Sequence, residues 1–144
     1  DRDFVHLVDE TNFLKNYVNL MRIRVSSNVD VKMNIDIPQD CHACIAPMIV
    51  ISLVENAFKH GISASEPSYI SIDMKASNDK IECEIRNSNF PKTQSDHSGH
   101  GIGLKQVAKR LELAYNGNYK WEKWTDEKEY NSKIIIYDTK LCYY

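Results

Sequence analysis

The sequence predicts an α+β domain: a two-layer α/β sandwich in which helices cover one face of a mixed sheet. Three observations carry that expectation. Val29, Val31, Met33, Ile35 and Ile37 alternate without a break up to Pro38, as a half-buried strand does. Ile70, Ile72 and Met74, then Ile81, Cys83 and Ile85, repeat the alternation on either side of Ser77-Asn78-Asp79, which reads as a hairpin. Elsewhere the apolar spacing is helical. Val50, Leu53, Val54 and Ala57 fall at i, i+3, i+4 and i+7, and Leu104, Val107, Ala108, Leu111 and Ala114 (or Tyr115) form a similar stripe. Strands and helices combined in this way are the α+β arrangement.

Taken in order, residues 9–25 suit a helix, with Phe13 or Leu14, Tyr17, Leu20 or Met21, and Arg24 on related faces. The strand of residues 29–37 follows. After Pro47 comes the second helix, whose flanking Ile49, Ile51 and Phe58 are also apolar, so it is expected to be buried on most sides. The hairpin is next, and residues 87–100 form a polar, turn-rich connection to a glycine-rich segment that opens the third helix. Residues 119–124 and 133–137 suit a closing pair of strands. There is no internal repeat and no low-complexity tract.

With 144 residues the chain is long enough for one domain with a real core. A net charge of −2 gives no electrostatic reason to expect nucleic acid as a partner. No apolar run approaches the roughly 18 residues of a membrane span, and no signal peptide is visible, so the piece is expected to be soluble. It starts at Asp1, which reads as an excised fragment. Cys41-His42-Ala43-Cys44 is a C-x-x-C, but Cys83 and Cys142 stand apart and supply no second ligand pair. Ordinary reduced thiols are the expectation for all four cysteines.

Two segments carry chemistry. Ser52, Glu55, Asn56 and Lys59 form a second i, i+3, i+4, i+7 stripe, roughly 200° around the helix from the apolar one. On a mostly buried helix such a stripe needs partners, because an unpaired buried polar group costs about 1–3 kcal/mol. The partner is either a bound polar ligand or, if the face is open, solvent. Gly99, Gly101 and Gly103 alternate just before a helical stripe, and a glycine turn opening a helix leaves N–H donors and a positive dipole end for phosphate. The pattern is neither G-x-G-x-x-G after a strand nor a P-loop, since G-K-[ST] is missing. A carboxamide able to hold a metal, with a turn able to hold phosphate, points to a nucleotide–Mg²⁺ site.

Leu53-Val54-Glu55-Asn56-Ala57-Phe58-Lys59-His60-Gly61, followed by Gly101-Ile102-Gly103-Leu104-Lys105-Gln106-Val107-Ala108-Lys109-Arg110-Leu111, resembles the N-box and G-box of the GHKL ATPases. The match is best to the catalytic domain of LytS/YehU-type sensor histidine kinases. Val5-x-Leu7-x-x-Glu10, Tyr17 and Arg24 also fit that family's lead-in helix. The resemblance implies the Bergerat ATP-binding fold. It divides the chain into residues 1–26, a lead-in helix from the dimerisation and phosphoacceptor region, and residues 27–144, the ATP-binding catalytic domain. Four departures stand out. Ile51 and Ser52 replace the usual Gln-Pro, and Gln106 replaces a frequent Asn. Asn87 and Asn89 stand where an Asp-x-Gly box has its adenine-contacting Asp and its Gly. A late Gly-Thr pair is missing.

By resemblance, Asn56 coordinates Mg²⁺ through its side-chain oxygen, Lys59 neutralises phosphate charge, and Glu55 orients Mg²⁺-bound water. His60 either shares the phosphate role or caps the helix end. Asn87 accepts the adenine amino group, and Gly99, Gly101, Ile102, Gly103 and Leu104 line the phosphate side. Residues 88–100 would be the ATP lid. ATP hydrolases of the gyrase, Hsp90 or MutL type place a carboxylate four residues before the Asn, where this chain has Ser52. A kinase needs no such base, because its nucleophile is an external histidine. The family's acceptor segment is absent, and His6, His42, His97 and His100 lack its context. The implied function is that of a protein histidine kinase catalytic domain. It would transfer the γ-phosphoryl of Mg-ATP to a histidine outside this fragment, for relay to a response regulator, with homodimerisation through the missing upstream region. A cytoplasmic domain of a membrane-anchored parent is the implied location. Asn87 in place of Asp keeps an alternative open: a degenerate nucleotide-binding scaffold, a pseudokinase acting through conformation. A serine kinase of the anti-sigma-factor type shares the boxes but matches the flanking residues poorly.

Overall fold

The computed structural model describes residues 4–90 and 98–142, the side chains of 98–102 excepted. In chain order the elements are β1 (Val5–His6), α1 (Leu7–Arg24), β2 (Val29–Asp36), β3 (Ala43–Ile45), α2 (Ile49–His60), β4 (Ser68–Ala76), β5 (Ile81–Ser88), α3 (Ser98–Tyr115), β6 (Tyr119–Thr125), β7 (Glu129–Ile136) and β8 (Lys140–Leu141). The main sheet runs β2-β4-β5-β7-β6, with β2 parallel to β4 and every other pair antiparallel, so it is mixed. A parallel pair needs a long crossover, and here β3 and α2 supply it.

Alternation decides which face is covered. Ile70, Ile72 and Met74 of β4, Ile81, Cys83 and Ile85 of β5, and Ile134 and Ile136 of β7 are buried beneath the helices. Their neighbours Asp73, Lys75, Glu82, Glu84 and Lys133 line the opposite, open face. Each helix contributes one stripe to the core: Leu7, Leu14 and Val18 from α1; Val50, Leu53, Val54 and Ala57 from α2; Val107, Leu111 and Tyr115 from α3. In α3 the stripe ends on Tyr115 rather than Ala114, and Ala108 is exposed. Among the described residues no helix is long and apolar enough to cross a membrane.

Pro47 and Met48 set the entry to α2. Met48 takes a left-handed conformation, φ 72° and ψ 2°, a position strained for a residue with a Cβ. Three hydrogen bonds from two helices, α1 and α3, hold this corner. The buried Glu10 carboxylate of α1 accepts the Met48 N–H at 3.1 Å, Tyr115 Oη accepts the Ala46 N–H at 2.8 Å, and Arg110 donates to the Pro47 carbonyl at 3.3 Å.

Two expectations are corrected. The glycine run is not a turn in front of the third helix: residues 99–103 are part of α3 itself, which begins at Ser98. A glycine costs about 1 kcal/mol in a helix relative to Ala, and the buried stripe of Val107, Leu111 and Tyr115 outweighs that cost. The cysteines are not all free thiols. Cys44 and Cys142 form a disulfide across 98 residues of sequence, with Cα atoms 5.9 Å apart, while Cys41 and Cys83 remain free. The partner of Cys44 is therefore not its C-x-x-C neighbour. The bond lies in a small second sheet, β1-β3-β8, whose strands of two or three residues are too short to show alternation.

Candidate functional site

The polar stripe of α2 has Asn56 half-buried and Glu55 and Lys59 exposed, with His60 half-buried as the last helical residue. The helix is thus less enclosed than its apolar flanks suggest. Ser52 spends its hydroxyl on its own helix, donating to the Met48 carbonyl at 2.6 Å. Glu55 lies on the α1 side: its charge raises the Tyr17 pKa, second to burial and partly offset by Arg24.

At its C-terminal end α2 meets β5. Gly61 donates its N–H to Ala57 O at 2.7 Å and accepts the Ser88 hydroxyl at its carbonyl. A Cβ on Gly61 would lie 2.7 Å from Ala57 O, 2.7 Å from Asn87 Nδ2 and 2.9 Å from Asn87 Cβ. The glycine is needed for this close approach and not for its backbone angle, because its φ is −96°.

Asn87 is the polar residue at the centre of that junction, 3% exposed. Its Nδ2 donates to the Ser88 carbonyl at 2.9 Å, whereas its Oδ1 is buried with no hydrogen-bond partner among the described residues. A buried acceptor left empty costs about 1–3 kcal/mol, and in native folds such groups call for an explanation. Asn89 is fully engaged. Its side chain donates to Asp126 O at 2.7 Å and Thr125 Oγ1 at 3.1 Å, and its N–H to Lys128 O at 2.8 Å, so it fastens β5 to the β6–β7 turn.

On the other side of α2, α3 packs along it. The first four N–H groups of any α-helix lack partners within it, and in α3 these belong to residues 98–101, including Gly99 and Gly101. Gly103 is exposed, and a Cβ there would meet nothing within 4 Å. Packing therefore gives no reason for this glycine, in contrast to Gly61. Leu104 is half-buried against the core. The side chains of His100 and Ile102 lie outside the described residues, as do residues 91–97, including His97 and most of the expected lid.

The junction thus brings Asn87 of β5 directly against Gly61, at the end of the helix that carries Asn56, Lys59 and His60 and that packs on α3. Sequence reasoning missed Ser88, which ties Gly61 to β4 by also accepting the Tyr69 N–H at 3.1 Å. A serine ending a strand gives no signal of such a role.

No family model matches the chain. It is similar to the sensor histidine kinase BtsS of Escherichia coli K12, 29% identical over 119 residues, covering 81% of this chain and 21% of that protein. It is also similar to the sensor histidine kinase YesM of Bacillus subtilis 168, 24% identical over 141 residues, covering 94% of this chain and 24% of that protein. The chain therefore spans between a fifth and a quarter of the length of these relatives. Among solved structures, the nucleotide-free catalytic domain of histidine kinase ThkA superposes with a TM-score of 0.67 at 20% identity, covering 96% of this chain and all (100%) of that one. Full-length ShkA in complex with AMPPNP superposes with a TM-score of 0.66 at 12% identity, covering 99% of this chain and 33% of that one. In sequence the chain is similar to sensor histidine kinases, and it shares its fold with the catalytic domains of histidine kinases.

Proposed function

We propose that this chain binds Mg-ATP and presents its γ-phosphoryl group to a histidine outside these 144 residues, for relay to a response regulator. The observation that carries the reading is the empty acceptor at Asn87 Oδ1. An adenine amino group supplies the missing donor, and a neutral carboxamide suffices to accept it.

The residues present fit the rest of the ligand. The Asn56 carboxamide offers an oxygen of the kind that hard cations take, and Mg²⁺ held there would supply positive charge against the phosphates. Lys59, exposed one turn on, adds a positive point charge. His60 is placed either to share that role or to close the helix end. The N–H groups of Gly99 and Gly101 at the start of α3 offer donors to phosphate oxygens. Gly103, which packing does not require, leaves room for close approach, and the family resemblance adds Ile102 and Leu104 to the phosphate-binding segment. Glu55 stands on the exposed side of α2 towards α1, where it can orient a water or an incoming acceptor. With no carboxylate at Ser52, phosphoryl transfer to an external nucleophile relies on positioning and charge.

In this reading residues 1–26 are the segment leading in from a dimerisation and phosphoacceptor region, and residues 27–144 are the catalytic domain. The parent is a homodimer, anchored in the membrane with this domain in the cytoplasm. Titration calorimetry with ATP and ADP, with and without Mg²⁺, tests the binding step. Phosphorylation in trans of a fragment carrying the acceptor histidine tests the transfer.

A further inference from the structure

Away from the α2–α3 junction, the small sheet brings together three ligands of the kind that hold soft metals. His6 of β1 stands directly opposite Cys44 of β3 in an antiparallel pair, where side chains on one face lie close. On the other edge of β3, Cys44 faces Lys140 of β8, and the Cys142 N–H is donated to the His42 carbonyl at 2.8 Å. Backbone pairing on both edges thus delivers Cys142 to Cys44 independently of any bond between the sulfurs. One imidazole nitrogen and the two sulfurs lie within 4.8 Å of one another. Cys44 and Cys142 are 0% and 3% exposed, while His6 is half-buried and gives the cluster a side open to solvent.

We propose that Cys44, Cys142 and His6 form a thiol-gated Zn²⁺ site, in which the reduced pair and the imidazole hold the ion and the Cys44–Cys142 disulfide is the closed, metal-free state. Two thiolates and an imidazole are the donor set that Zn²⁺ favours, and three protein ligands leave a fourth tetrahedral position for water. Sulfurs joined in a disulfide are no longer thiolates and cannot ligate in this way. Closure consumes one low-molecular-weight disulfide, such as glutathione disulfide, and two protons. The S–S bond of the small disulfide breaks, the Cys44–Cys142 bond forms, and two small thiols and the zinc ion leave. The other two cysteines stand apart from this chemistry: Cys41 is half-buried and outside the cluster, and burial pushes the Cys83 thiol up to about 12, which keeps it protonated.

The test is a titration of the purified chain, reduced with a phosphine and stripped of metal, with Co²⁺ and then Zn²⁺. The proposal predicts one equivalent of Co²⁺ with thiolate-to-cobalt charge-transfer absorption, displaced by Zn²⁺. Added glutathione disulfide abolishes the absorption, and the protein's mass falls by two hydrogens. Cys142→Ser and His6→Ala should each weaken binding by more than the roughly 100-fold that loss of a supporting group costs, with Cys41→Ser unchanged. His6→Ala keeps both thiols, so it decides the matter if Cys142→Ser does not fold. Reduced protein without the absorption would overturn the site, as would wild-type affinity in His6→Ala. An ion that survives glutathione disulfide would overturn the gating.

Discussion

Glu10 of α1 and Met48, the residue that starts α2, are joined by a 3.1 Å hydrogen bond from the Met48 N–H to the Glu10 carboxylate. Helix α1 therefore holds the strained entry of the helix that carries Asn56. Glu10→Ala should cost about 1–3 kcal/mol in denaturant unfolding by removing the carboxylate acceptor of the Met48 N–H.

Titration of the same residue gives a pH prediction. Burial raises the Glu10 carboxyl above its usual 4.5, outweighing the Met48 hydrogen bond, which lowers it. The folded state therefore favours the protonated form. Its contribution is fully present below 4.5 and is lost as pH rises through the raised folded value. Glu10→Gln keeps an acceptor and does not titrate. Its unfolding free energy should fall less than that of the wild type as pH rises from 4.5.

Two glycines should answer the same substitution in opposite ways. At Gly61 a Cβ meets a backbone oxygen at 2.7 Å, so Gly61→Ala should destabilise by about 1–3 kcal/mol. At Gly103 a Cβ meets nothing within 4 Å, so Gly103→Ala should stabilise the helix by up to about 1 kcal/mol. If Gly103 serves nucleotide approach, that stabilised variant should bind ATP more weakly. Thermal melts beside ATP titrations read both effects.

Asn87 Oδ1 should set base preference. It can accept from the amino group of adenine but meets a second acceptor in the corresponding oxygen of guanine. ATP should bind at least about tenfold more tightly than GTP, and Asn87→Ala should reduce that margin. Equal binding of the two nucleotides by the wild type would remove the role given to this oxygen.

The disulfide should contribute measurably to stability. It closes a separation of 98 residues, and such crosslinks stabilise by about 2–4 kcal/mol. Reduction in the presence of a metal chelator should lower the melting temperature of the wild type and leave Cys142→Ser unchanged.

Most of the fold was legible because β4, β5 and the helices each bury one regular stripe and β2 half-buries another, and a stripe of three or more residues shows in the sequence. The strands Val5–His6, Ala43–Ile45 and Lys140–Leu141 were not legible, since a two- or three-residue strand has no period and exists only through distant partners. The same distance hid the Cys44–Cys142 bond, so that all four cysteines read as ordinary thiols. Within the candidate site, spacing on one helix placed Glu55, Asn56 and Lys59. That Gly61 is a glycine because Asn87 packs on it is a tertiary fact with no local signature. The glycines of residues 99–103 read as a turn because glycine permits one, yet their backbone continues the helix fixed by Val107, Leu111 and Tyr115.

The central claim is Mg²⁺-dependent nucleotide binding at α2, and calorimetric titration of the wild type and Asn56→Ala with ATP, with and without Mg²⁺, tests it most directly. Binding that requires Mg²⁺ and is lost in Asn56→Ala is the predicted result. No heat of binding at millimolar ATP, or equal binding by the variant, would contradict it and leave a scaffold whose boxes serve structure alone.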